Sequence, residues 1–276
     1  MAQKKPDAGE ILRKSIVHRL DAAQWLADEC NLVPDAWQAS VLRERGSGSR
    51  GARIAVLAVR QSGKSQIAAG RAAHTALFKR DKRGGPTTSL IACPAERQGQ
   101  LLVARAAELL GDNVDQRSQS RVILKNGAQI IALPMSNDAG ATARGYTVSG
   151  ILICDEFGFL PNAEEVLAVV SPMTTIHGAD MMLISSASYD GDLWHQIVIE
   201  GQGSWSRYKI AVEDCPRLTP DVLDDLRGQL GPALYAREML NQFSVSGFSP
   251  VDLHAARAAA LDDPIGIDLD VMMGAA

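Results

Sequence analysis

The sequence lacks a dominant charge, a cysteine pair and a long apolar run, and each absence removes a class of function. Lys and Arg total 28 against 32 Asp and Glu, a net charge of -4. Any contact with nucleic acid must therefore come from local patches rather than from the overall field. No apolar stretch reaches the length of a bilayer span, and the polar opening MAQKKPDAGE has no apolar core of a secretory signal. The four cysteines, Cys30, Cys93, Cys154 and Cys215, form no C-x-x-C pair, which argues against a disulfide framework or a structural zinc site. Cys93 and Cys154 each close an apolar run and read as buried packing residues. A reducing, cytoplasmic setting is the expectation. With 276 residues, 46% of them hydrophobic, the chain can form one large α/β domain, or one domain with a small appendage.

The most informative stretch is RIAVLAVRQSGKSQI, residues 53–67. Residues 54–59 are an unbroken apolar run of the kind a buried parallel strand requires. The chain then breaks into Arg60-Gln61-Ser62-Gly63-Lys64-Ser65 and resumes as a helix-compatible segment over 66–78. Strand, tight loop and helix are the context of a phosphate-binding loop, whose backbone N–H groups and helix N-terminus cradle phosphate oxygens; the alternative is an ordinary turn capping a helix. Lys64 would reach the β- and γ-phosphates of a nucleotide, and the Ser65 hydroxyl would ligate Mg²⁺. The usual glycine six residues before the lysine is missing; Ala58 stands there.

A second signal lies at residues 149–156, SGILICDE. Here an apolar strand ends in two adjacent carboxylates. Asp155 would hold Mg²⁺ through water, and Glu156 would orient or deprotonate the attacking water. The alternative is a strand that ends in an acidic turn. The next apolar run, 181–184, ends in Ser185-Ser186-Ala187-Ser188, which either contacts the γ-phosphate or the water, or is a simple turn. Upstream, Pro34 and Asp35 start a helix with Trp37 and Gln38 in its first turn. Gln38 has a donor and an acceptor that suit the adenine edge; it is otherwise a surface amide.

Elsewhere, residues 10–30 read as one amphipathic helix with Ile11, Leu12, Ile16, Val17, Leu20, Trp25 and Leu26 on its apolar face. The basic run 79–83 before Gly84-Gly85-Pro86 reads as a solvated helix end, with a DNA-backbone contact as the sharper alternative. Lys125-Asn126-Gly127 between apolar runs signals a hairpin. Residues 220–229 and 232–243 read as two amphipathic helices separated by Gly231.

Taken together, these stretches resemble the N-terminal ATPase domain of the large terminase subunit, the DNA-packaging motor of tailed bacteriophages and prophages. The resemblance runs from about Trp37 to Phe243. It is carried by Pro34–Gln38, by the deviant loop with Arg60 early in it, and by Ala143-Arg144-Gly145 ahead of the acidic strand. Asp155-Glu156 before the turn 157–161, the serines 185–188 and the closing segment 237–243 complete it. It implies a P-loop NTPase fold of the ASCE/RecA-like type, an αβα sandwich with a mostly parallel central sheet and a small helical lid. The implied division is an N-terminal helical segment 1–52 with the adenine-binding Gln region, an ATPase core 53–215, a lid or linker 216–247, and a linker with the start of a nuclease-like domain at 248–276.

The implied activity is ATP hydrolysis with Mg²⁺, driving double-stranded DNA into a procapsid. Gln38 would contact adenine and Arg60 would assist phosphate binding, within a loop formed by Gln61, Ser62, Gly63, Lys64 and Ser65. Glu156 and Lys64 would act in catalysis, Arg144 would be the arginine finger offered to a neighbouring subunit, and Ser185 and Ser186 would couple nucleotide state to motion. The implied partners are DNA, the portal and procapsid, the small terminase subunit and further copies in a ring, in the host cytoplasm, with no membrane. The stretch Ile265-Gly266-Ile267-Asp268 looks like the first strand of the family's nuclease domain. A single carboxylate-bearing strand cannot assemble a two-metal site, so no nuclease activity is expected from this sequence. An ATP-driven helicase or DNA-remodelling enzyme, and a non-catalytic nucleotide-binding fragment, are the alternatives.

Overall fold

A parallel strand buried on both faces needs an apolar run along its length, and three neighbouring segments in the middle of the sheet supply one. The computed structural model describes residues 7–46, 50–135 and 145–245. The segments are β1 (Arg53–Ala58), β6 (Ile151–Asp155) and β7 (Asp180–Ser185). In β1, Ile54, Val56 and Ala58 face one core while Ala55 and Leu57 face the other; β6 and β7 alternate in the same way. The remaining strands are β2 (Thr88–Cys93), β3 (Val114–Arg117), β4 (Arg121–Leu124), β5 (Gln129–Pro134) and β8 (Ser206–Ile210). They form one sheet of eight, in the order β3-β4-β5-β2-β6-β7-β1-β8. Pairing is parallel from β5 to β8 and antiparallel only at the β3-β4-β5 edge. The hairpin at Lys125-Asn126-Gly127 is the β4-β5 turn.

Helices cover both faces. On one lie α2 (Ala22–Glu29), α3 (Ala36–Arg43), α4 (Lys64–Phe78) and α5 (Glu96–Leu110); on the other lie α6 (Ala163–Thr175) and α7 (Leu193–Val198). The long α8 (Pro220–Leu240) adds Tyr235 and Met239 to the first core. It is broken at Gly231, whose φ of 70° and ψ of 167° are outside helical space, with Pro232 restarting it. The two helices expected around Gly231 are thus present.

The expected single helix over 10–30 is two. α1 (Ala8–Leu20) ends at Asp21, whose carboxylate caps α2 by accepting from the N–H groups of Ala23 (3.0 Å) and Gln24 (3.1 Å). The other oxygen of Asp21 pairs with Arg43 Nε at 2.8 Å. Trp25 and Leu26 are buried as expected, but Ile11, Leu12, Ile16, Val17 and Leu20 are exposed. α1 meets α2 instead through polar contacts, His18 with Asp28 (2.8 Å) and Lys14 with Glu29 (2.9 Å). α6, which begins after Asn162, runs on through Pro172 to Thr175.

Candidate functional site

The strand order decides what meets at the sheet's C-terminal edge. β7 lies between β1 and β6, so the serines that end β7 stand between the loop after β1 and the carboxylates after β6. Ligands of open α/β sheets bind at this edge.

The loop itself follows from its backbone. Gly63 has φ 94° and ψ 22° and caps α4, which begins at Lys64. The positive φ favours glycine, and a Cβ at Gly63, 2.5 Å from Arg217 Nη1 and 2.5 Å from Gln38 Nε2, would push both side-chain ends aside. Lys64 is buried, and its ammonium donates to the carbonyls of Ala58 (3.1 Å) and Val59 (3.3 Å). Burial lowers its pKa, opposed by the nearby carboxylates of Glu156, Asp155 and Glu238. Ser65 and Gln61 are exposed, Ser65 in the first turn of α4. Gln61 takes a positive φ of 60°. Ser62 is buried.

Asp155 is almost wholly buried at the end of β6, and its Oδ2 accepts from Gln98 Nε2 at 2.8 Å. Its Oδ1 is buried without a partner. Burial, with Glu156 beside it, pushes its pKa up to about 6; Gln98 and Lys64 pull the other way. Glu156 occupies the left-handed region at φ 51° and ψ 44°, a strained conformation that clusters at functional sites. It lies within reach of Ser185, whose hydroxyl donates to Glu156 Oε2 at 3.4 Å. Ser186 is buried and lines, with Glu156, Arg60 and Gln98, a cleft of about 340 Å³.

Among the described residues no group of three or more His, Cys, Asp or Glu forms a metal site. Mg²⁺ at nucleotide sites is held by one or two protein oxygens plus phosphates and water. The orphaned Oδ1 of Asp155 and the exposed Ser65 hydroxyl fit that requirement.

Gln38 stands differently from expectation. It is buried, its Oε1 accepts from the Asp35 N–H (2.9 Å), and its Nε2 donates to the Ser62 carbonyl (3.3 Å). In this conformation the buried amide braces the loop, with its bonds made to Asp35 and Ser62. Arg144, and the nuclease-like stretch after residue 245, lie outside the described residues.

Four residues of the site were not singled out from sequence. Gln98 holds Asp155. Arg217 donates to the Ser62 carbonyl at 2.8 Å and pairs with Asp35, tying the segment before α8 to the loop. Glu238 and Arg237 reach the cleft from α8. Arg237 and Glu238 left a trace in sequence, as members of the closing segment 237–243 that carries the family resemblance, but with no role at the site attached to either.

A family model described as terminase large subunit, T4likevirus-type, N-terminal, matches residues 56–244. No curated protein matches the chain. Among solved structures, the large terminase ATPase domain of Thermus phage P74-26 is similar at TM-score 0.61 and 16% identity, over 81% of this chain and 99% of that one. An arginine mutant of the same domain reaches TM-score 0.65 at 17% identity. A large terminase from a thermophilic bacteriophage, solved in complex with ADP, is similar at TM-score 0.60 and 12% identity. The match covers 76% of this chain and 54% of that terminase, about half its length. These likenesses establish the fold: an α/β P-loop NTPase sandwich.

Proposed function

Because this chain belongs to the terminase large-subunit N-terminal family, whose model spans most of the described core, we propose that it hydrolyses ATP to drive double-stranded viral DNA into a procapsid. The observation that carries this reading is the convergence of Lys64, Asp155, Glu156 and Ser185 at one edge of the sheet. In this reading Lys64 leaves the carbonyls of Ala58 and Val59 for the β- and γ-phosphates, with Arg60 beside it. Ser65 and, through water, Asp155 would hold Mg²⁺, which would neutralise phosphate charge. Glu156 takes a proton from water as its oxygen attacks the γ-phosphorus, and the bond to the ADP oxygen breaks. Ser185 and Ser186 sense the change. Arg144, on the family resemblance, serves a neighbouring subunit, and the packaging partners are the procapsid and the small terminase subunit.

The test is steady-state ATPase activity with Mg²⁺, DNA, procapsids and the small subunit. Glu156→Ala should lower turnover by about a hundredfold or more, the contribution of a positioned general base, while leaving ADP affinity in place. Lys64→Ala should remove binding and turnover together. Background hydrolysis untouched by Glu156→Ala would sink the motor reading.

A further inference from the structure

In the ATPase reading of this site, on which the role assigned to Arg237 rests, the γ-phosphate lies between the phosphate loop and Glu156. One more cation reaches this space, and it comes from α8. Arg237 lines the same cleft as Arg60, Gln98 and Glu156. Its guanidinium donates through Nε (3.1 Å) and Nη2 (3.0 Å) to Oε1 of Glu238, and its Cζ lies 5.9 Å from the ring centroid of Phe159. Phe159 sits in the short turn directly after Glu156. The guanidinium is thus stacked on the same turn that presents the candidate general base.

Glu238 is the other half of the arrangement. It is buried, its Oε2 lies 3.9 Å from Arg60 Nη1, and its backbone carbonyl accepts the Arg60 N–H at 2.8 Å. One buried carboxylate is therefore shared by a loop arginine and a lid arginine, with Lys64 near enough to feel its charge. A terminal phosphate carries more charge and more acceptor oxygens than this carboxylate, and its geometry matches a guanidinium fork.

We propose that Arg237 exchanges Glu238 for the γ-phosphate of ATP bound to its own subunit, leaving Glu238 to Arg60, and so reports the nucleotide state to α8. ADP lacks the γ-phosphate, so with ADP bound Arg237 keeps its pair with Glu238. The contact is made within one chain, unlike that assigned to Arg144, and should be seen in a monomer.

The test uses the full chain at a concentration where it is monomeric, titrated with Mg²⁺·ADP and with Mg²⁺·ATPγS, followed by calorimetry. Arg237→Ala should weaken ATPγS binding by about tenfold to a hundredfold, the loss expected of a charged hydrogen bond, with ADP binding within about twofold of wild type, inside the effect expected of a change off the nucleotide. Arg237→Lys should fall between, because it keeps the charge and loses the fork. Hydrogen exchange of residues 232–240 should differ between ATPγS and ADP in the wild type and not in Arg237→Ala. Equal losses for both nucleotides would make Arg237 a structural strut and overturn the proposal, as would no loss for either. A wild-type chain that binds neither nucleotide would overturn the functional reading, and this inference with it.

Discussion

His74 shows how one side chain ties pH to stability in this fold. It sits on α4 between Trp25 and Phe78, at ring-centroid distances of 5.7 and 4.9 Å, with Nε2 donating to the His18 carbonyl at 2.8 Å. Burial lowers its pKa to about 4 from 6.5. The unfolded chain therefore binds a proton that the folded chain refuses. The contribution of the neutral ring is complete above pH 6.5 and is lost as pH falls toward 4, about 3 kcal/mol across that window. Asp155 titrates with the opposite sign, because its raised pKa favours the folded state as pH falls through about 6. The two partly cancel, so the informative quantity is a difference. Urea unfolding at pH 7 and pH 5 should show a shallower loss for His74→Gln than for wild type. Identical pH slopes would show that the ring does not titrate as its burial demands. At the loop, Gly63→Ala should force Arg217 and Gln38 away from Ser62 and weaken ADP binding about tenfold or more, as displacement of a positioned phosphate cradle implies; unchanged affinity would show that the loop tolerates the extra carbon.

At the scale of the element, the strands were legible and the breaks between helices were less so. β1, β2, β6 and β7 could be read because a strand buried on both faces leaves an unbroken apolar run, as Ile54–Val59 does. The hairpin could be read because Asn126-Gly127 is a local signal. The division of α1 from α2 was missed although its cap is local, Asp21 accepting from the N–H groups of Ala23 and Gln24, because apolar residues keep a helical spacing on both sides of Asp21. Gln98 and Arg217 were missed because each acquires its role from residues distant in sequence. The position of Gly231 was legible, and its backbone explains it. A φ of 70° with ψ of 167° is a region essentially closed to residues with a Cβ. Gly231→Ala should therefore destabilise by about 1–3 kcal/mol, measured by thermal or urea unfolding. A change below about 0.5 kcal/mol, the level of an ordinary surface substitution, would mean that the kink relaxes freely.

The whole molecule is a sheet with two cores, and the N-terminal helix stands apart from both. Leu12 and Ile16 are 62% and 50% exposed, whereas Leu26 is fully buried and sits where a Cβ on Gly70 would lie 2.8 Å from its Cδ1. Leu26→Ala should cost about 2–5 kcal/mol, and Leu12→Ser with Ile16→Ser should stay within about 0.5 kcal/mol each. Comparable losses in both would place α1 in the core. The overall architecture was implied by the family resemblance, which the phosphate loop and the acidic strand help to carry because each has its own local context. How α8 meets the loop could not, since that contact depends on how the sheet brings together the ends of β1 and β8. There the Arg60 N–H bonds the Glu238 carbonyl, and Asn241 Nδ2 donates to the Ile210 carbonyl at 2.8 Å. The helical stretch from Pro232 to Leu240 is about 13 Å long, a lever whose fulcrum is stitched to two adjacent strand ends. One stitch is backbone to backbone, so side-chain substitutions at Arg60 and Glu238 can retune the charges around the joint without unfastening it. Of these two stitches the one at Asn241 is made by a side chain and is open to substitution, while Tyr235 and Met239, buried in the first core, hold the same stretch by packing.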